Sequence, residues 1–199
     1  MMSNKVLVVY ATKSGSTTEV AQSIADTLSQ AGAQATVKSV EEIEDIKPYD
    51  AVYIGSPIIN GKCMPEVKKF VSSYDHYLSQ RMVAYFITCM RLSQISGDPL
   101  PDVPVFVDPE FGEPKPKKEM TFLEKNHPVT MYLKAIIGMA KESKPVSISF
   151  FKGALDYSTI GFIMTLLFKF MARIDGLEPG DYRNWEAIRL WTEQTYSVL

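Results

Sequence analysis

The chain has 199 residues, of which 46% are hydrophobic and 22% are charged, with a formal net charge of −2. The hydrophobic fraction is typical of a globular protein and excludes wholesale disorder. The near balance of basic and acidic residues gives no general basis for nucleic-acid binding, and no apolar run reaches the roughly 18 residues of a membrane-spanning helix.

The first hundred residues alternate between strand-like and helix-like runs. The continuous apolar run from Lys5 to Ala11 is typical of a strand buried on both faces of a parallel sheet. Ser16 and Glu19 form a capping-box pattern that predicts the start of a helix, and Gly32 predicts its end. This alternation predicts βαβ units and therefore an α/β fold.

The same reading extends along the chain. Further strands are predicted at 35–40, 51–55, 82–88 and 146–151. Further helices are predicted from Pro65, over 131–141 and from Trp185 onwards.

Two segments interrupt the pattern. Residues 96–126 are rich in proline, which predicts a long loop with a short strand at 103–107. Residues 157–180 contain an apolar helical pattern over 159–174 with two apolar stripes, which predicts either burial, a homodimer contact, a bilayer-surface contact or one wall of a substrate pocket. Five strand–helix units of about 30 residues leave about 50 residues over, so we expect a single domain over 1–199 with these two insertions.

The loop between the first strand and the first helix carries chemistry. Hydroxyl side chains surround one glycine at a helix N-terminus, where free backbone N–H groups and the helix dipole favour a phosphate. The alternative is a cluster that only caps the helix. A single glycine does not complete the dinucleotide fingerprint, and Gly61-Lys62 does not complete a P-loop. The candidate residues are Thr12, Lys13, Ser14, Gly15, Ser16 and Thr17.

The pattern of Thr12, Ser14, Gly15 and Thr17 after an apolar strand resembles the phosphate-binding signature of flavodoxins. The resemblance implies a three-layer sandwich with helices on both faces of a five-stranded parallel sheet in the order 2-1-3-4-5. It also implies that FMN is the cofactor, with its terminal phosphate in this loop.

The resemblance implies two further flavin loops, after the third and fourth strands. Gly61 is expected near the reactive edge of the flavin, although Asn60-Gly61 is alternatively a simple turn. Neither loop contains an aromatic residue, and the chain is not strongly acidic, in contrast to electron-carrier flavodoxins. The expected residues are Ser56, Pro57, Ile58, Ile59, Asn60, Gly61 and Lys62 in one loop and Thr88, Cys89, Met90 and Arg91 in the other.

The segments 149–157 and 181–186 are similar to the flavodoxin-like protoporphyrinogen oxidases of bacteria. That resemblance implies an FMN-dependent oxidoreductase of haem biosynthesis, which passes electrons to a quinone. The partner would then be a quinone or another small molecule. The alternative is an electron carrier that docks on redox proteins, and a third hypothesis is a flavin-free interaction module. The expected location is the cytoplasm, with peripheral association at the inner membrane face as an option.

The remaining candidates have weaker signals. Cys63 and Cys89 fall in the expected flavin loops, as a redox pair or as idle thiols, and two cysteines predict a reducing compartment. His76 and His127 lack metal-ligand spacing, so no metal site is predicted. Arg91 could meet an anionic substrate, the flavin or only solvent. We expect Asp156 and Tyr157 to be structural and no protein group to be catalytic, because the flavin carries the chemistry.

Overall fold

The computed structural model describes residues 4–96, 102–155 and 179–198. A parallel six-stranded path with the order β2-β1-β3-β5-β7-β6 forms the centre of the fold. A short strand, β4, pairs antiparallel with β3, and β8 and β9 form a separate antiparallel pair. The strands are β1 (Lys5–Tyr10), β2 (Gln34–Ser39), β3 (Ala51–Ile59), β4 (Lys62–Cys63), β5 (Met82–Cys89), β6 (Val105–Val107), β7 (Ser147–Lys152), β8 (Ala154–Leu155) and β9 (Gly180–Asp181).

Helices cover both faces of the sheet, as predicted. Alternate residues of a strand point to opposite faces, so Val6 and Val8 join one core cluster while Leu7 and Val9 join the other. The first cluster includes residues of α1 and α5, and the second includes residues of α2 and α4. The helices are α1 (Ser16–Gln30), α2 (Pro65–Leu78), α3 (Phe122–Lys125), α4 (Val129–Ile137) and α5 (Trp185–Tyr196).

The predicted order of the sheet is confirmed, and the sheet has one more edge strand than the five predicted. The order β2-β1-β3-β5-β7 is the expected 2-1-3-4-5 arrangement. The short strand expected at 103–107 is β6, which pairs parallel with β7 beyond the predicted edge. The proline-rich segment also contains α3 and two 3₁₀ turns, at Pro109–Phe111 and Lys117–Glu119, so it is more regular than the predicted loop.

Two predicted boundaries and one predicted helix cap are wrong. β3 continues four residues past Gly55, because Ile58 and Ile59 pair with β4. α1 begins at Ser16 as predicted, but its N-cap is Gly15 in the left-handed region, so the predicted capping box of Ser16 and Glu19 does not form. The third error concerns α4, which spans Val129–Ile137 rather than 131–141.

The apolar helix predicted over 159–174 lies outside the described residues, as do Asp156 and Tyr157. Within the described ranges, no helix combines the length and apolar character needed to cross a membrane.

Asp75 joins α2 to the segment between α4 and β7. Its carboxylate accepts hydrogen bonds from the backbone N–H groups of Lys141 (2.6 Å), Glu142 (3.0 Å) and Ser143 (2.9 Å). Desolvation acts to raise the pKa of Asp75, but these N–H bonds together outweigh it and hold the pKa below its usual range. The carboxylate therefore stabilises the fold when it is ionised.

Replacing Asp75 by Asn should lower the free energy of unfolding at neutral pH by about 1–3 kcal/mol, because three donors lose a charged acceptor. Since the folded pKa is depressed, the contribution is full above the unfolded pKa of about 4 and disappears as the pH falls through the folded value. Urea titrations of both proteins between neutral and acidic pH would show the difference narrowing on acidification. Asp45, which accepts one backbone N–H from Lys47, is the control, and Asp45→Asn should have a smaller effect.

Candidate functional site

The three predicted flavin loops lie at one edge of the sheet. β1, β3 and β5 are adjacent and parallel, so their carboxyl ends meet where ligands bind in this type of fold. The buried hydroxyls of Thr17, in the first turn of α1, and Thr88, near the end of β5, are 3.1 Å apart. This hydrogen bond joins the first loop to the third.

The first loop presents several unused hydrogen-bond donors. Gly15 has φ +88°, and its N–H donates to Thr12 Oγ1 at 2.9 Å. The Gly15 carbonyl accepts from the N–H groups of Thr18 (3.0 Å) and Glu19 (3.4 Å). Within the described part of the chain, no acceptor meets the backbone N–H groups of Lys13, Ser14, Ser16 and Thr17. Donors at the start of a 15-residue helix fit an anionic group such as a phosphate.

Two of the four predicted hydroxyls already make protein contacts. Thr12 Oγ1 accepts from the N–H of Gly15 and keeps its own O–H as a donor, whereas Thr17 Oγ1 is bonded to Thr88 Oγ1. Ser14 is exposed and Ser16 is half-buried, so their hydroxyls face available space. Lys13 is exposed, as a solvated loop residue would be.

The second loop is shorter than predicted. Asn60 (φ +50°) and Gly61 (φ +76°) form the two-residue turn of the β3–β4 hairpin, as in a type I′ connection. Ser56 is fully buried, and its Oγ accepts from the N–H of Met64 (3.0 Å), so it closes the base of the hairpin. The turn is the part of this loop that lies at the open edge.

The third loop combines buried and partly open residues. Thr88 and Cys89 are buried, whereas Met90 and Arg91 are half-buried. Cys63 and Cys89 are free thiols. Desolvation raises the pKa of Cys63 to about 11 and also raises the pKa of Cys89, so both thiols are protonated at neutral pH. That state does not favour thiol redox chemistry.

The histidines have structural contacts. His76 Nδ1 lies 3.0 Å from a carboxylate oxygen of Glu142, and His127 Nδ1 lies 2.6 Å from the Tyr132 hydroxyl. Among the residues with described positions, no cluster of three His, Cys, Asp or Glu side chains could hold a metal ion.

Sequence reasoning assigned no role to Arg183, although it reaches the first loop. Its side chain is only 7% exposed, and its Nη1 donates to the Ser16 carbonyl at 3.3 Å. Its guanidinium also binds Asp181 (2.7 Å) and Glu19 (3.0 Å), and it lies 4.5 Å from the ring of Trp185. Arg183 therefore neutralises two carboxylates beside the N-terminus of α1.

The fold and the loops together define an α/β protein with an anion-binding loop at the carboxyl edge of its sheet. A family model described as a flavodoxin domain matches residues 7–180. Because this match covers most of the sequence, the chain belongs to the flavodoxin domain family.

Solved structures agree with this fold. Oxidised flavodoxins 1 and 2 from Bacillus cereus are 13% and 15% identical to this chain, with TM-scores of 0.55 and 0.52, and each match covers 98% of this chain and 99% of the other. A flavoprotein from Lactobacillus acidophilus, solved in complex with FMN, is 16% identical with a TM-score of 0.46, and that match covers 74% of this chain and 93% of the other. At these identities the likeness to the two Bacillus cereus flavodoxins shows the fold alone. No curated protein matches the sequence significantly.

Gly55 leaves room for the ring of Phe86 at the base of the site. It pairs with Tyr10 on one side and with Phe86 on the other, and its carbonyl accepts from the N–H of Ala11 at 3.1 Å. A Cβ on Gly55 would overlap the ring of Phe86, which is fully buried.

Gly55→Ala should destabilise the fold by about 1–3 kcal/mol, because the added methyl group overpacks this contact. In a double-mutant cycle with Phe86→Leu, the double variant should lose less free energy of unfolding than the two single variants lose in sum. Gly153→Ala is the control, since its Cβ would meet Met90 at an ordinary 3.7 Å. Additive losses in denaturant titrations would contradict the proposed overlap.

Proposed function

We propose that this protein binds FMN at the carboxyl edge of β1, β3 and β5 and acts as an FMN-dependent oxidoreductase. The unused N–H donors of the first loop carry this proposal, because they match the anionic phosphate of the cofactor. Membership of the flavodoxin domain family supports the choice of FMN. When bound, FMN would supply the electron or hydride chemistry.

Different residues would hold different parts of the cofactor. The N–H groups of Ser14, Ser16 and Thr17 would hold the phosphate, with the hydroxyls of Ser14 and Ser16 as added donors. The Asn60-Gly61 turn and the segment Thr88–Arg91 would border the ring system. Thr17 and Thr88 act by positioning, since their hydroxyls are bonded to each other.

A finer assignment, oxidation of protoporphyrinogen with electrons passed to a quinone, has one further supporting observation. The two segments that carry that resemblance meet, because β8 pairs with β9. Arg183 lies two residues after β9 and donates to the carbonyl of Ser16 in the first loop. The alternative is an electron carrier for redox proteins, which family membership supports. Anaerobic reduction by candidate donors, followed by reoxidation with a menaquinone analogue or with ferredoxin, distinguishes the two.

Purified protein should bind FMN with quenching of flavin fluorescence, and Gly15→Ala should weaken this binding at least about tenfold. Any residue other than glycine is strained at φ +88°, so the first-turn amides would turn away from the phosphate. Gly32 lies beyond the other end of α1 at φ +95°, and a Cβ added at either glycine would meet no atom within 4 Å.

Gly32→Ala is therefore the matched control. Both variants should lose about 1 kcal/mol of stability, but only Gly15→Ala should lose FMN affinity. Wild-type protein that does not bind FMN would contradict the proposed function. Equal losses of affinity in the two variants would contradict the role of the first loop.

Arg183→Met should raise the dissociation constant of FMN about tenfold, equivalent to about 1.4 kcal/mol, and leave that of riboflavin unchanged. The substitution leaves Glu19 and Asp181 uncompensated beside the loop, where they would repel a phosphate. Titrations of both flavins at low ionic strength measure the difference. Adding Glu19→Gln and Asp181→Asn should restore part of the FMN affinity.

Arg189 provides the control, because it also binds two carboxylates, Glu186 and Glu193, but on the exposed surface of α5. Arg189→Met should leave both affinities unchanged. If Arg183→Met weakened the affinity for riboflavin as much as the affinity for FMN, the role of Arg183 would be only to support the fold of the site.

A further inference from the structure

A cleft of about 160 Å³ opens beside the third predicted flavin loop. Its walls include Arg91 in that loop, Glu110, Phe111 and Glu124 in the proline-rich segment, His127 directly after that segment, and Lys152 at the end of β7. It therefore lies on the side of the site that the proline-rich segment adds to the five-stranded core.

Lys152 supplies a cation without an anionic partner. Its Nζ lies 5.8 Å from the ring centroid of Phe111 and 5.9 Å from that of Tyr182. Over the described residues, no carboxylate lies within ion-pair distance of this ammonium, and its three hydrogens have no acceptor. Aromatic faces attract the charge but do not replace strong hydrogen-bond acceptors. The half-buried ammonium therefore favours an anionic ligand.

The other charges of the cleft modify this preference. Glu124 is committed to Lys115 Nζ (2.8 Å) and to the N–H of Thr121 (2.7 Å), and these bonds hold the pKa of Glu124 at about 2. The exposed carboxylate of Glu110 opposes an anion. The cleft thus has one opposing charge that a substitution can remove.

We propose that this cleft binds the carboxylate of a small ring-bearing acid, with Lys152 as the partner of the carboxylate and Phe111 as an apolar wall. The volume admits about one ring, so a larger ligand would extend out of the cleft. Only the position of this ligand beside a flavin rests on the proposed function.

Benzoate tests the proposal, and benzamide is its uncharged counterpart. Titrations of the full-length protein, followed by NMR at low ionic strength, should show benzoate binding and little benzamide binding. Lys152→Met should weaken the affinity for benzoate about tenfold, and Lys152→Arg should retain this affinity because the positive charge remains. Glu110→Gln should strengthen it, since a repulsive charge is removed.

Lys118→Met is the control, because Lys118 is an exposed lysine of the same segment outside the cleft, and it should leave benzoate binding unchanged. Absence of benzoate binding to the wild-type protein, or equal binding to Lys152→Met, would overturn the proposal. Benzoate binding that depends on Lys152 in a protein that does not take up FMN would overturn the proposed function and leave this inference standing.

Discussion

The candidate site depends on the unused backbone N–H groups at the start of α1. They are positioned by two local contacts, the left-handed Gly15 and the bond from its N–H to Thr12 Oγ1. The core fixes the helix behind them, because Val20, Ile24 and Leu28 are fully buried against the sheet. A partial positive charge at this end of the helix therefore meets the edge at which the strands end.

The C-terminal part of the chain adjusts the electrostatics of that helix end. The negative charge of Glu19, in the first turn of α1, interacts favourably with the helix dipole but would repel a bound phosphate. Arg183 resolves this conflict, because it pairs with Glu19 and holds the Ser16 carbonyl. One fork-shaped guanidinium can make these contacts simultaneously, whereas the three donors of a lysine ammonium all lie on one nitrogen.

The amino-acid sequence was sufficient to predict the centre of the sheet because β1, β3 and β5 are buried along most of their length and form long apolar runs. It was insufficient for the end of β3, because the predicted loop began at Ser56 whereas the strand continues to Ile59. β1 ends opposite Gly55, so at Pro57 the strand pairs only with β5, and a residue without N–H is tolerated there. The roles of Arg183 and Lys152 were also missed, since Arg183 meets a residue 167 positions away and Lys152 is recognisable only from its surroundings.

Asp108 explains how the proline-rich segment can take part in the site. It directly follows β6, is fully buried, and accepts from the N–H of Glu110 (3.1 Å), the side-chain amide of Asn184 (3.1 Å) and the N–H of Lys152 (3.4 Å). Asn184 in turn caps α5 through the N–H of Ala187. A buried carboxylate is stable only when its oxygens are satisfied, so this one bonding arrangement fixes β6, the end of β7 and the start of α5 relative to each other. Lys152 belongs to that arrangement through its backbone N–H, and Arg183 is adjacent to Asn184. The proline-rich segment, Lys152 and Arg183 therefore reach the site from one shared set of hydrogen bonds.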